Sequence, residues 1–541
     1  MVSQTSKKKK KFNMLTLKKE SLDWALNHAL KHGDTHVLPP SFEYRAIQYD
    51  WDNICAWLEK QDILEWKVRP HQTLLSPKTK YGFRVITLLD PLDFLVFAAT
   101  IKEIDDDIEA SRIPIERNIV FSYRVALERD GNIFSSNIGW KNFLQQSRAL
   151  LQKDKKINCV AITDVADFYS RIYHHRLENA LRFCCTSHQS HVKAIMKLLS
   201  GWNGTETFGI PIGNELSRLL AEIALSDVDE ALLANQICFI RFNDDYRIFA
   251  HSYAEAYRHI AFLADILRRN HGLSLQPYKT KIIDKDIFIE YFLSAREERE
   301  FNSLKEKFNR LIAELNLSNR YEDINYDNLT KSQKKLVNSL TLVELFRSEI
   351  KVDGEPDLTL IRFILRRMAQ LDDTSIISDV LDHLDILHPV FPDIVNYLRR
   401  LSHLTIEERR QIGEKIICLL EDSIISELEY HRMWALEIFA NSTDWNHKDK
   451  DQFFKLLVSE SHQLVKRQLI LAMGRAGKRH WFQSQWRNLF DYPHWSRRAF
   501  LAAVSCMPSD ARKHWYRSVE AMLDPLEKAV VKWAKNNPFG S

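Results

Sequence analysis

Two adjacent carboxylates, Asp244 and Asp245, lie at the centre of residues 238–250, a stretch that is apolar and aromatic on both sides of a polar tip. This pattern predicts a strand, a tight turn and a second strand. Neighbouring side chains of a strand point to opposite faces, so we expect one aspartate to be the main ligand of a cation and the other to support it. Taken alone, the stretch is more typical of a plain hairpin with an Asn-Asp-Asp turn.

A third carboxylate upstream changes this interpretation. Residues 159–163 form a short apolar run typical of a buried strand, which ends at Asp164 and is followed by a helical pattern. Hard divalent cations prefer oxygen ligands. Two such ions about 4 Å apart can activate an attacking hydroxyl and stabilise a leaving pyrophosphate. A carboxylate at a strand end, together with a later hairpin bearing two more, is the set of ligands that this phosphoryl transfer needs.

Between the carboxylates lies a loop in which Gly209 and Gly213 flank Pro211. Glycines allow a backbone to approach a bulky flat partner closely. Asn214 is suited to cap a helix that runs to about Leu232. A plain loop leading into a capped helix explains this stretch equally well when it is taken alone.

In this order, the motifs resemble those of the reverse transcriptase palm. Residues 164–169 resemble the first aspartate motif, and residues 209–217 resemble the Gly-x-Pro-x-Gly motif. Residues 242–245 resemble the aromatic-x-Asp-Asp box, with Phe242 in place of the usual tyrosine. Residues 272–281 resemble the next palm motif, which contributes a lysine near the triphosphate.

The resemblance, which covers roughly residues 65–295, implies a set of site residues and cofactors. The catalytic and metal-binding residues would be Asp164, Asp244 and Asp245, holding two Mg²⁺ ions, with Mn²⁺ as an alternative. The nucleotide-binding residues would be Arg84, Lys78, Tyr169, Lys279 and Lys281. The residues near template and primer would be Gly209, Pro211, Gly213 and Phe242.

Individual positions carry more specific expectations. A guanidinium can hold two phosphate oxygens, which makes Arg84 the strongest phosphate ligand of the predicted fingers hairpin. Tyr169 matches the family's steric gate, which favours deoxynucleotides, although ordinary packing also explains it. Either Lys279 or Lys281 could protonate the leaving pyrophosphate. Ile212 replaces the glutamine of many relatives and cannot make its hydrogen bond.

Length and composition indicate the number of domains, the surface charge and the compartment of the protein. The chain has 541 residues and a formal charge of +4, so we expect two or three globular domains and only local basic surfaces. Seven cysteines without Cys-x-x-Cys spacing indicate reduced thiols in a cytoplasm. No long apolar run occurs, so we expect no membrane span. The basic run Lys7–Lys11 is either a solvated tail or a nucleic-acid-binding arm.

We predict an α+β fold with right-hand polymerase fingers and palm, built as an antiparallel sheet with helices and followed by an all-α domain of HEAT-like repeats. The predicted domains are a basic tail with N-terminal helices at 1–65, fingers and palm at 66–295, a helical linker at 296–335 and a repeat domain at 336–541. Similar helical segments recur every 30 to 35 residues or so in the last part. Its arginines, Arg467, Arg497 and Arg498, either line a nucleic-acid surface or flank exposed helix faces.

A palm and helical tail without nuclease segments resemble the abortive-infection-like and unknown-group reverse transcriptases of bacterial defence. The resemblance implies a cytoplasmic, bacterial RNA-directed DNA polymerase (a nucleotidyltransferase) that acts against phage. The resemblance implies dNTPs, an RNA template or associated non-coding RNA, and a DNA product as partners. The resemblance is also compatible with untemplated synthesis, a homo-oligomer and a phage-encoded trigger. Two alternatives stay open: a retroelement enzyme engaged in mobility, and a catalytically retired palm that acts as a nucleic-acid-binding scaffold.

Overall fold

The computed structural model describes residues 14–35, 37–126, 131–293, 342–351, 356–445 and 452–539. The basic run Lys7–Lys11 and the predicted linker 296–335 lie outside these residues. Within the described part of the chain, no helix is both long and apolar enough to cross a membrane.

Three helices precede the predicted fingers: α1 (Lys19–His32), α2 (Glu43–Tyr49) and α3 (Trp51–Leu58). The buried side chains of α1 include Leu22, Ala25, Leu26 and Ala29, whose i, i+3, i+4, i+7 spacing gives one apolar helix face. That face packs against the later helix Pro91–Lys102 of the fingers.

The fingers contain a hairpin of β1 (Gln72–Pro77) and β2 (Phe83–Leu88), followed by helices α4 (Pro91–Lys102) and α5 (Asp105–Ser111). Asp90 caps α4, because its side chain accepts a hydrogen bond from the Leu92 N–H, and Pro91 occupies the first turn. The strands of the predicted fingers hairpin are found.

The palm is a four-stranded antiparallel sheet with strand order β4-β5-β3-β6. Its strands are β3 (Cys159–Asp164), β4 (Phe239–Phe242), β5 (Asp245–Ala250) and β6 (Lys281–Asp284). The surrounding helices are α6 (Trp140–Lys153), α7 (Phe168–Arg171), α8 (His174–Cys184), α9 (Gln189–Asn203), α10 (Glu215–Ala224), α11 (Ser226–Ala234), α12 (Tyr253–Ile266) and α13 (Lys285–Phe288).

The single helix predicted from Asn214 to about Leu232 is instead two helices, α10 and α11, which meet at Leu225. The hydroxyl of Ser226 donates to the carbonyl of Ile223 at this break. Such a local side-chain bond competes with the regular helical pattern. The Asn214 cap itself is present, since its side chain accepts from the Ser217 N–H at 2.8 Å.

From residue 342 onwards the described chain contains helices and no strand. They are α14 (Leu342–Glu349), α15 (Leu358–Leu371), α16 (Ile377–Asp382), α17 (Leu384–Leu387), α18 (Phe391–Arg400), α19 (Ile406–Glu421), α20 (Glu429–Asn441), α21 (Gln452–Ser459), α22 (Gln463–Arg475), α23 (Arg479–Gln485), α24 (His494–Ala503), α25 (Ser509–Val519) and α26 (Pro525–Asn536). Helices α15, α18, α20, α22, α24 and α26 pack on one another in succession. This order is compatible with stacked helical repeats, while the HEAT-like assignment and the domain boundaries stay predictions.

Arginines of the C-terminal helices bind carboxylates of the N-terminal part. Arg498 is fully buried and pairs with Asp90 at 2.7 Å and with Glu43 at 3.2 Å. Arg467, which is also buried, pairs with Glu43 at 2.5 Å. Both interpretations of these two arginines, as a nucleic-acid surface or as exposed flanks, are therefore wrong. Arg497 instead pairs with the buried Glu527 at 3.3 Å.

Candidate active site

The register of the palm sheet brings Asp164 and Asp245 together. Asp164 is the last residue of β3, and its cross-strand partner in β5 is Asp245. Side chains of directly opposed residues in antiparallel strands have Cβ atoms about 4.5–5.5 Å apart. Two carboxylates that are far apart in the chain therefore face one another at one end of the sheet.

Asp244 joins this pair through the turn between β4 and β5. Phe242 pairs with Asp245, so the loop consists of Asn243 and Asp244, and Asn243 has a φ of 56°. One oxygen from each of Asp164, Asp244 and Asp245 lies within 4.8 Å of the others. The turn thus lets both adjacent aspartates reach the same cluster, and the expected division into one main and one supporting ligand stays a prediction.

The electrostatics of the cluster match a divalent cation site. Burial, together with the charges of Asp164 and Asp245, raises the pKa of Asp244 to about 7. Burial also raises the pKa of Asp245 to about 6, again with a contribution from Asp164. Carboxylates this close repel one another when ionised, and a divalent cation would relieve that repulsion. The donor set of three carboxylates therefore fits a divalent metal ion.

The structure distinguishes the two predicted lysines. Lys279 Nζ donates to Asp164 Oδ2 at 2.7 Å, and the Lys279 side chain is about half exposed. Lys281 is exposed, and its Nζ lies 5.8 Å from the centroid of the Phe292 ring. Although burial alone would lower the pKa of Lys279, its hydrogen bond to Asp164 raises it. Of the two lysines, Lys279 is the one that contacts the aspartates.

A buried network of charged side chains holds the aspartate turn from behind. Arg241 pairs with Asp229 at 2.5 Å and with Glu222 at 3.0 Å, and its Nη1 donates to the Asn243 carbonyl at 2.8 Å. The hydroxyl of Ser122 accepts a hydrogen bond from the Asn243 N–H and donates to Glu222. These interactions fix the backbone of the turn, and with it the position of Asp244.

Sequence reasoning missed this network, although one signal of it is visible. Arg241 is a charged residue inside an otherwise apolar and aromatic strand. A charge at such a position is seldom buried without a partner. The identity of the partners, Glu222 and Asp229, comes only from the packing of α10 and α11 against the sheet.

Tyr169, the predicted steric gate, lies beside the turn. Its hydroxyl donates to Asn243 Oδ1 at 3.1 Å, and the Asn243 amide donates to Asp244 Oδ1 at 2.5 Å. A further cation, Arg218 of α10, lies 5.2 Å from the centroid of the Tyr123 ring and interacts electrostatically with Tyr169. Tyr169 is thus linked to the aspartates through a single side chain.

The glycine–proline loop packs against the protein itself. Gly209 and Gly213 have φ values of 88° and 116°, which L side chains rarely adopt. A Cβ atom on Gly213 would lie 2.8 Å from Thr35 Oγ1. The Ile212 carbonyl accepts from the Thr87 N–H of β2 at 3.0 Å, so the backbone at this position joins the loop to the fingers.

The loop is also tied to the palm. The N–H of Ile210 donates to the carbonyl of Tyr169 at 3.1 Å, and the N–H of Gly209 donates to the carbonyl of Ile172 at 2.9 Å. Pro211, between the two glycines, is buried. The loop therefore fixes the backbone at the predicted steric gate.

Phe242, the aromatic residue before the turn, packs in an aromatic cluster. Its ring centroid lies 5.2 Å from that of Trp140 and 6.0 Å from those of Phe143 and Tyr123. Phe143 is fully buried. These contacts give Trp140 and Phe143 a packing role.

The fingers hairpin places its two predicted phosphate ligands differently. Lys78 is exposed and close enough to Asp245 to lower the pKa of that carboxyl, although burial dominates. Arg84 is also exposed, and its cross-strand partner is Ser76. Arg84 interacts electrostatically with Tyr430 of the C-terminal helices. Lys78 rather than Arg84 therefore has the closer electrostatic link to the aspartates.

Residues 77–322 match the family model described as "Reverse transcriptase (RNA-dependent DNA polymerase)". No curated protein matches the chain significantly. Among solved structures, Candida albicans telomerase in complex with a TWJ fragment of telomeric RNA aligns with 14% identity over 74% of this chain and 71% of that chain, with a TM-score of 0.30. Apo telomerase from Candida tropicalis aligns with 12% identity over 69% of each chain, with a TM-score of 0.33. TM-scores this low do not establish a shared architecture. The family match, which spans all three aspartates, shows that the chain contains a reverse transcriptase domain and is an RNA-directed DNA polymerase.

Proposed function

We propose that this polymerase adds deoxynucleotides at a site formed by Asp164, Asp244 and Asp245. The observation that carries the proposal is the convergence of one oxygen from each carboxylate within 4.8 Å. In the reaction, the 3′ hydroxyl of a primer attacks the α-phosphorus of a deoxynucleoside triphosphate, and pyrophosphate leaves.

The three carboxylates would hold two Mg²⁺ ions, or Mn²⁺ in their place. When bound, such ions activate the attacking hydroxyl and offset the negative charge that develops on the leaving group. The protein contributes by keeping its carboxylates in place before substrate arrives. The buried pairs between Arg241 and the residues Glu222 and Asp229 serve this purpose by fixing the turn.

Two lysines are placed to act on the triphosphate. Lys279 bonds Asp164 directly, so its ammonium is already at the site and can turn towards a leaving pyrophosphate as a proton donor. Lys78 extends the positive charge from the fingers side. Arg84 stays a weaker proposal, because its interaction with Tyr430 places it towards the C-terminal helices.

We also propose that Tyr169 selects deoxynucleotides. This role follows from the family resemblance, and the hydrogen bond from its hydroxyl to Asn243 Oδ1 holds the ring next to the turn. An aromatic ring at that point would occupy the space that a ribose 2′-hydroxyl needs. A replacement by alanine should therefore admit ribonucleotides.

Incorporation of labelled dNTPs with Mg²⁺ tests the catalytic assignment. Wild type should incorporate label, with an RNA template or without one, and the double variant Asp244→Asn with Asp245→Asn should not. Asp167→Asn is the matched control, because Asp167 is an exposed carboxylate near Asp164 that does not belong to the cluster. Failure of the wild type under varied templates and primers would favour a scaffold role.

The proposed biological role is antiviral defence in a bacterial cytoplasm, with an RNA template or non-coding RNA as a partner. It rests on the resemblance to abortive-infection-like enzymes and on the helical C-terminal region of the chain. Expression in a phage-sensitive strain should reduce phage plating, and the double Asn variant should restore it. Full protection by the double Asn variant would show that defence does not require polymerisation.

A further inference from the structure

Two histidines of α1 and one glutamate of α10 form a second cluster of metal-binding side chains. One ligand atom from each of His28, His32 and Glu215 lies within 4.8 Å of the others. We propose that these residues bind a transition-metal dication, Zn²⁺ in the first instance, and that the bound ion braces α1 against α10.

The positions in the chain explain how the cluster forms. His28 and His32 are four residues apart in α1, so they lie on one face of the helix, one turn apart. Glu215 is the first residue of α10, directly after the Asn214 cap. One helix therefore supplies both imidazoles, and the start of another supplies the carboxylate.

The spacing leaves room for an ion. His28 Nε2 and Glu215 Oε2 are 3.9 Å apart, which is too long for a hydrogen bond. In tetrahedral zinc, two ligand atoms at about 2.0–2.2 Å from the ion stand about 3.4 Å apart. The 3.9 Å separation of His28 Nε2 and Glu215 Oε2 is about 0.5 Å longer, so binding requires the half-buried His32 and Glu215 side chains to close on the ion.

Each imidazole already has the kind of partner that orients a metal ligand. His28 Nδ1 is 2.8 Å from the carbonyl oxygen of Gly131, and His32 Nε2 is 2.8 Å from Asn132 Oδ1. Because a carbonyl oxygen can only accept, Nδ1 of neutral His28 carries the proton and Nε2, the atom nearer Glu215, keeps its lone pair. Metal-bound histidines usually donate their other ring N–H to such an acceptor.

The turn that carries the acceptors of Gly131 and Asn132 packs closely against the backbone of α1. Gly131 has a φ of 91°, and a Cβ atom there would lie 3.0 Å from backbone atoms of Asn27 and His28. The His28 ring is also stacked on Trp24, with centroids 5.1 Å apart, and is almost fully buried. The imidazole is therefore held in one orientation by contacts on several sides.

The donor set distinguishes this site from the aspartate cluster. Imidazole nitrogen suits zinc and other first-row transition metals, whereas magnesium prefers oxygen ligands. Three protein ligands leave one coordination position for solvent, which the half-buried His32 and Glu215 can admit. A bound ion would link α1 to the helix that follows the Gly209–Gly213 loop, and so would stabilise the loop beside Tyr169.

Zinc binding by the purified full-length protein, freed of any histidine tag, tests the proposal. The aspartate cluster is first removed as a competitor by Asp244→Asn with Asp245→Asn, and Mg²⁺ is added in excess. Elemental analysis should then find one equivalent of zinc. Co²⁺ should give the visible absorption bands of a nitrogen- and oxygen-ligated ion, and zinc should raise the melting temperature.

The variants His32→Gln and Glu215→Gln, made singly in that background, should each lose the zinc equivalent and the zinc-dependent rise in melting temperature. His188→Ala is the control, because His188 and His191 form another histidine pair whose members each bond their own carboxylate at 2.7 Å. That variant should keep the zinc. Unchanged zinc content in both Gln variants, or no zinc and no Co²⁺ absorption in the parent protein, would overturn the proposal.

Discussion

Asp164 and Asp245 are cross-strand partners in adjacent antiparallel strands of the palm, and this register places two carboxylates 81 positions apart in the sequence at one end of the sheet. Asp244 joins them because the intervening turn consists of only two residues. The carboxylate cluster is therefore a property of strand pairing and turn length together.

The two lysines of residues 272–281 should differ sharply in their effect on catalysis. Lys279→Ala should lower kcat by about 10²-fold or more, because the proposed proton donor is lost. Lys281→Ala should change kcat by less than about twofold, since its ammonium lies over the Phe292 ring. Single-nucleotide incorporation at saturating dNTP measures both. Equal losses in the two variants would contradict the assignment.

The aspartate cluster should make metal binding and stability depend on pH in opposite directions. Cations compete with protons for Asp244 and Asp245, whose pKa values are raised by burial to about 7 and about 6. Mg²⁺ affinity should therefore rise between pH 5 and pH 8. Calorimetric titration at several pH values gives the affinity, and a flat profile would contradict the raised pKa values.

Without metal, the sign for stability is reversed. A carboxyl with a raised pKa binds more protons in the folded state than in the unfolded state, so the free energy of unfolding falls as pH rises from about 4 to about 7. Asp244→Asn removes this contribution. In EDTA, the variant should gain melting temperature over wild type at pH 8 and lose that advantage at pH 5. The same difference in melting temperature between the variant and wild type at both pH values would contradict this pH dependence.

Gly213 should tolerate a methyl group much less well than Gly204. Both glycines have positive φ values, 116° and 62°. A Cβ atom on Gly213 would lie 2.8 Å from Thr35 Oγ1 and 3.2 Å from Ile86, whereas one on Gly204 would meet nothing within 4 Å. Gly204→Ala should cost about 1–3 kcal/mol, from the strained backbone conformation alone, because φ is 62° and ψ is −110° there. Gly213→Ala should lower the free energy of unfolding clearly more, as urea unfolding would measure. Equal losses in the two variants would show that the Thr35 and Ile86 side chains move aside without a free-energy cost.

Arg498→Met should destabilise the protein strongly, because it leaves the buried carboxylate of Asp90 without its partner at 2.7 Å. Removing one member of a buried ion pair costs about 3–5 kcal/mol. The neighbouring Arg497→Met should cost less, because the buried Glu527 keeps a hydrogen bond from the Asp524 N–H and lies 3.6 Å from His494. Melting temperatures of the two variants compare them directly. A larger loss for Arg497→Met would contradict the proposed role of Arg498 in joining the C-terminal helices to the N-terminal part.

The palm could be predicted because its elements carry local signals. A buried apolar strand ends at Asp164, and the polar tip at Asp244 and Asp245 separates two apolar runs, so both the strands and the turn are visible in the sequence. The helix capped by Asn214 was predicted from the same kind of signal. Its break at Leu225 was not, because a side-chain bond to a nearby carbonyl leaves no periodic trace.

Features that depend on contacts between distant elements could not be predicted. Whether Arg84 faces the aspartates depends on how the fingers hairpin packs on the C-terminal helices. The sequence pattern of an amphipathic helix does not reveal that Arg498 meets Glu43. The choice between Lys279 and Lys281 depends on where β6 begins, because Lys281 is already its first residue.

Binding of Mn²⁺ in the presence of a non-hydrolysable dNTP analogue, followed by electron paramagnetic resonance, tests the central claim most directly. Wild type should bind two ions per chain at this site, and their coupling should be visible in the spectrum. Asp164→Asn should lose that coupled pair, although residue 164 is far in sequence from the Asp244–Asp245 turn, while Asp167→Asn should keep it. An unaltered coupled pair in Asp164→Asn, or none in the wild type, would contradict the convergence of the three carboxylates on one metal site.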